Sequence, residues 1–149
     1  MNRHNKHIGK ALLLMGLFLF ISCSVNKQIV ETEGSYYRLF SSPANGEKKL
    51  FISLNLPKES PASPDSVMVN GESVAFETIS GKPILEVFIS EFMQPENTEE
   101  QEQRELFLRL AAADEINVKV KYPSKFLIYE NVPKQVSEQL EMMSAPQGN

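Results

Sequence analysis

The dipeptide Asn70-Gly71, set between two short segments of alternating apolar residues, constrains this chain more than any other feature. Both residues tolerate the positive φ that a two-residue type I′ hairpin turn demands. Such a turn sets Val69 opposite Glu72, Met68 opposite Ser73 and Val67 opposite Val74. Val67, Val69, Val74 and Phe76 then share one face, with Met68, Ser73 and Ala75 on the other. Turn chemistry and apolar pattern specify the same hairpin, and that agreement is independent support for it.

The same period of two recurs along the chain. Leu50, Ile52, Leu54 and Leu56 alternate with Phe51, Ser53 and Asn55, and Ile116, Val118, Val120 and Tyr122 alternate with Asn117, Lys119 and Lys121. Pro123-Ser124-Lys125 separates the second run from Phe126 to Asn131, which predicts a terminal hairpin. Residues 84 to 92 are apolar on both parities, as in an inner strand with a partly exposed aromatic face. With Tyr36 to Phe40 and Leu106 to Leu110, the chain supplies seven or eight short strands. At 149 residues it holds one domain at most. The expected fold is an all-β, antiparallel β-sandwich over residues 35–132, immunoglobulin-like or a related small sandwich such as the transthyretin type.

Residues 99–115 pull the other way, because they contain no Gly, Pro or β-branched residue and follow Thr98, whose spacing to Gln101 fits a capping box. A surface helix, however, needs a single apolar stripe. Leu106, Phe107, Leu108, Leu110 and Ala111 spread over about 200° at 100° per residue. The reading adopted is an acidic loop over 95–104 and a strand over 105–111. Pro133 opens a possible short helix in 133–149, with Val136, Leu140 and Met143 on one stripe.

The first 22 residues stand apart from the fold. Arg3, His4, Lys6, His7 and Lys10 form a basic start, Ala11 to Ile21 is an apolar run, and the small residue Ser22 precedes Cys23. This is the pattern of a secretory signal peptide, and its apolar run falls short of the roughly 20 residues a membrane-spanning helix needs. Phe20-Ile21-Ser22-Cys23 resembles the lipobox of bacterial lipoproteins, with Phe20 in place of the usual Leu. The resemblance covers the leader and this Cys. It implies signal peptidase cleavage between Ser22 and Cys23, and attachment of diacylglycerol and often a further acyl chain such as palmitate at Cys23. Ser24 after the Cys, rather than Asp, implies delivery to the outer membrane, with the protein facing the periplasm or exported to the surface; inner-membrane retention is the other location. A buried free Cys in an ordinary secreted protein is the alternative reading. Residues 23–34 read as a polar tether that could end in an edge strand, and Ser24 to Gly34 fully extended would reach at most ~40 Å.

Removing the leader removes Arg3, Lys6 and Lys10 from the 15 basic residues, so 12 face 19 acids and the formal charge is near −7. Such a chain has no electrostatic footprint for nucleic acid. Both His leave as well, and the one Cys is spent on the lipid. No Ser-His-Asp or Cys-His site and no His-ligated metal centre can then be built. No catalytic residue, cofactor or metal site is therefore expected. The five Glu between 96 and 105 lack calcium-loop spacing and read as a solvated run. Tyr36, Tyr37 and Arg38 are the candidate ligand contacts, because Tyr is enriched at interfaces. The functional expectation is a non-catalytic binding or structural module of the bacterial envelope. Acyl chains on Cys23 would hold it to the membrane, and its partner would be an envelope protein or glycan. The alternative is a carboxylate-based enzyme, for example a glycoside hydrolase, or a metal-dependent ligand binder.

Overall fold

A computed structural model describes residues 26–61 and 63–135. In chain order the elements are β1 Asn26–Val30, β2 Tyr36–Ser41, β3 Lys48–Asn55, β4 Ser66–Val69, β5 Glu72–Val74, β6 Glu77–Thr78, β7 Ile84–Ser90, α1 Thr98–Ala111, β8 Val118–Lys121 and β9 Lys125–Tyr129. They form a five-stranded sheet in the order β1-β9-β8-β4-β5 and a four-stranded sheet in the order β2-β3-β7-β6. Every pairing is antiparallel except β1 with β9. The core lies between the sheets. Leu50, Ile52 and Leu54 of β3 and Leu85 and Val87 of β7 meet Val67, Val69, Val118, Val120 and Leu127 of the other sheet, all at most 1% exposed. Among the described residues, the core and the partly buried side chains packed on it fall between Val30 and Val132, so a chain that begins at Cys23 keeps every one of these.

The β4–β5 hairpin has the register that its turn specifies, Val67↔Val74, Met68↔Ser73 and Val69↔Glu72. Asn70 sits at φ 49 and Gly71 at φ 85. Asn70 does more than turn the chain. Its Nδ2 donates to the Glu115 carbonyl at 2.9 Å, and its Oδ1 accepts the Asn117 N–H at 2.8 Å, stitching the hairpin to the approach of β8. The β8–β9 hairpin also forms, closed where the Tyr122 N–H donates to the Lys125 carbonyl at 2.9 Å. Residues 84–90 form an inner strand, with Leu85, Val87 and Ile89 in the core and Phe88 48% exposed.

The turn from β1 into β2 depends on Gly34, which lies at φ +74 with its Cα against the Asn55 side chain, where a Cβ would collide. Next to it the buried Ser35 Oγ accepts the Asn55 N–H at 2.9 Å. The Tyr129 hydroxyl donates to the Asn55 carbonyl at 2.7 Å. One residue at the end of β3 thus binds the β1–β2 turn and the opposite sheet together.

Three expectations are corrected. Residues 98–111 form α1 where an acidic loop over 95–104 and a strand over 105–111 were expected. The N-cap is Asn97 rather than Thr98: its Oδ1 accepts the Glu100 N–H at 2.9 Å, and the Glu100 carboxylate accepts the Glu96 N–H at 2.7 Å. Only Phe107 and Leu110 are buried, with Leu106 and Ala111 half-buried beside them, so the helix needs a narrower stripe than the five apolar residues suggested. Second, the edge strand in which the 23–34 tether could end is β1, which starts as early as Asn26 and lies in parallel register with β9 from Asn26↔Lys125 to Val30↔Tyr129. Third, Pro133 opens no helix at once. Residues 133–135 run alongside β2, where the Tyr37 N–H donates to the Pro133 carbonyl at 2.9 Å and the Gln135 N–H donates to the Tyr37 carbonyl at 2.7 Å. Val136, Leu140 and Met143 lie outside the described residues, as do the leader, Ser22 and Cys23.

Candidate functional site

β2 is an edge strand, and its period of two splits the three candidate contacts. Tyr37 turns inward and packs on the core, while Tyr36 and Arg38 turn outward. Tyr36, Tyr37 and Arg38 therefore do not form one contact surface. The candidate surface is one that Tyr36 and Arg38 share with residues from neighbouring strands.

Cross-strand register builds that surface. Arg38 of β2 lies opposite Phe51 of β3, which lies opposite Phe88 of β7. The Phe51 and Phe88 rings are 4.8 Å apart between centroids, and Tyr36 meets Phe51 edge-on at 5.9 Å. The Arg38 guanidinium carbon is 5.1 Å from the Phe51 centroid and 5.3 Å from that of Phe40. Phe51 is only 5% exposed because these neighbours cover it, whereas Phe88 is open. Each ring contact is worth about 0.5–1.5 kcal/mol beyond area burial. A guanidinium stacked on a ring keeps its edge N–H donors free for carbonyl, carboxylate or hydroxyl acceptors. The row thus offers an apolar face and a donor fork side by side.

Beyond Phe88 the surface descends into a groove of about 410 Å³ between β5, β7 and α1, lined by Phe88, Ala75, Leu106, Glu99, Glu102 and Arg109. The groove exists because β6 pairs only with Glu86 and Leu85 of β7, and α1 packs against β7. Arg109 Nη2 lies 3.3 Å from Glu72 Oε1 at its rim, in an exposed pair worth at most about 1 kcal/mol. Among the described residues, no three His, Cys, Asp or Glu side chains converge as a metal site would require, and no helix is long and apolar enough to cross a membrane.

The sequence singles out Tyr36, Arg38 and the exposed aromatic parity of β7, but not Phe51, which lies in register between Arg38 and Phe88, nor Phe40, one pair further along β2 opposite Lys49. The available signal was that each stands on the parity opposite the core residues of its own strand. Only the pairing register shows that they align. Compared with protein-family models, with curated proteins and with solved structures, the chain has no match.

Proposed function

We propose that this chain is a bacterial lipoprotein, acylated at Cys23 after cleavage behind Ser22, and that it works as a non-catalytic binding module of the cell envelope. The outer membrane, facing the periplasm or exported to the surface, is the location that Ser24 favours. The observation that carries the binding role is the Arg38-Phe51-Phe88 row, where aromatic surface and a guanidinium with no ion-pair partner among the described residues are held together on an open sheet face. That chemistry suits an envelope protein or glycan, which presents apolar ring faces or methyl groups beside hydroxyl and carbonyl acceptors.

Within this reading the sandwich is immunoglobulin-like. The orders β2-β3-β7-β6 and β9-β8-β4-β5 correspond to A-B-E-D and G-F-C-C′ of that topology, with β1 and α1 as additions. The short reach of the anchor supports action close to the membrane. Cys23 is three residues from Asn26, the first residue of β1, a span of at most ~10 Å.

The test is a photo-reactive amino acid at Phe88, compared with the same probe at Met93, in living cells. A discrete adduct from position 88 that disappears with Arg38→Glu supports the reading. Identical adducts from both positions, unaffected by Arg38→Glu, would exclude this face as the binding site.

A further inference from the structure

The outer face of the five-stranded sheet plays no part in the aromatic row, yet its side chains are sorted. Register places Ile29, Ile128, Lys119, Met68 and Ser73 in one line across β1, β9, β8, β4 and β5. A second line runs Lys27, Phe126, Lys121, Ser66. The alternating partners on these strands, such as Leu127, Val120 and Val67, are core, so both lines face outward. They hold three cations, four large apolar side chains, two serines and no acid, in a mature chain whose formal charge is near −7. Acids enter only beyond the strand ends, with Asp65 before β4, Glu31 and Glu130 after β1 and β9, and Glu115 before β8, where it lines a hollow with Met68, Lys119 and Ile128.

Two of the four apolar members are exposed, and Phe126 and Ile128 are half-buried. Ile29 is 69% exposed and Met68 37%. Lys119 Nζ lies 3.9 Å from the Phe126 ring centroid, which keeps this charge over the face. Exposed aliphatic groups and a half-buried ring interleaved with lysines are the pattern of a surface that rests at the headgroup level of a bilayer.

We infer that this face docks on an anionic phospholipid surface, with Lys27, Lys119 and Lys121 on the phosphates and Ile29, Met68 and Phe126 at the acyl boundary. Its placement rests on the anchoring reading above. β1 is the edge strand of this sheet, and the ~10 Å reach from Cys23 brings its Lys27 end, rather than its Glu31 end, to the membrane. The Arg38-Phe51-Phe88 row lies on the outer face of the other sheet, so it is turned away from the bilayer and toward a partner.

The experiment uses the acyl-free chain from residue 23 with Cys23→Ser, sedimented with vesicles of phosphatidylglycerol or of phosphatidylcholine. The expected result is salt-sensitive partitioning onto phosphatidylglycerol and little onto phosphatidylcholine. The triple change Lys27→Gln, Lys119→Gln and Lys121→Gln should weaken it about 100-fold, the equivalent of about 1 kcal/mol for each lysine. Lys48→Gln, Lys49→Gln and Lys134→Gln together remove the same charge elsewhere and should change it less than about threefold, which separates a local face from net charge. Ile29→Ser with Met68→Ser should weaken binding with no change in the circular dichroism spectrum. Failure to partition onto phosphatidylglycerol, or equal binding by the two triple variants, overturns the inference. Because this chain carries no lipid, the outcome is independent of whether Cys23 is acylated, which fatty-acid labelling reads separately.

Discussion

The Tyr129 hydroxyl donates to the Asn55 carbonyl at 2.7 Å, joining residues 74 apart in sequence across the two sheets. Tyr129 is fully buried, and that burial, with the neighbouring Tyr122 as the lesser cause, pushes its phenol well above the ordinary value of 10.0. Its proton is therefore held more tightly in the folded chain than in the unfolded one. This contribution is complete below pH 10 and is lost progressively as pH climbs above the unfolded value. Tyr129→Phe should cost about 1–2 kcal/mol at neutral pH, since the Asn55 carbonyl loses its donor. It should also flatten the fall in melting temperature above pH 10. An equally steep alkaline fall in the variant would show that another group carries it.

Asn70 combines positive φ with two hydrogen bonds to the segment that leads from α1 into β8. Asn70→Ala should therefore cost more than Gly71→Ala, where a Cβ meets no atom within 4 Å and the penalty is conformational, about 1–2 kcal/mol. Urea unfolding of the two variants gives the order directly. A smaller loss for Asn70→Ala would mean that its side-chain bonds contribute nothing net.

Helix α1 begins at a capping residue that can be tested alone. Asn97→Ala removes the acceptor for the Glu100 N–H and should lower stability by about 1 kcal/mol. The far-ultraviolet spectrum should keep its helical component, because Phe107 and Leu110 still hold the helix on the sandwich.

That helix also shows where the sequence stopped being legible. Its inward stripe starts with the half-buried polar Gln103 and Arg104, continues through the buried Phe107 and Leu110, and leaves Leu108 47% exposed. A count of apolar residues gives every leucine equal weight and so spreads the stripe too widely for a helix. The β4–β5 hairpin was legible because turn type and side-chain parity are both local. The aromatic row was legible only in pieces, since Phe51 and Phe88 are 37 positions apart and their alignment depends on a register that no local signal sets. Residues 26–30 were legible only as an edge strand that could end the tether, for a similar reason. Their pairing with β9 is parallel and non-local, and Asn26, Lys27 and Gln28 carry no strand propensity.

With β1 docked, only Ser24 and Val25 separate Cys23 from the sheet, against the ~40 Å reach expected of an 11-residue tether. Proteases need an extended, accessible segment. Membranes carrying the native chain should therefore release little of the domain on limited proteolysis. A flexible Gly-Ser linker inserted after Val25 should make release rapid without changing the melting temperature. Equal release from both would show that the native segment is already accessible.

Anchoring at Cys23 is the central claim, and metabolic labelling with an alkyne fatty acid tests it most directly. Cells expressing the full chain should yield a labelled band in the membrane fraction, and the Cys23→Ala chain, at matched abundance, should yield none. Equal labelling of the two chains, or an unlabelled wild-type protein recovered in the soluble fraction, would contradict the account.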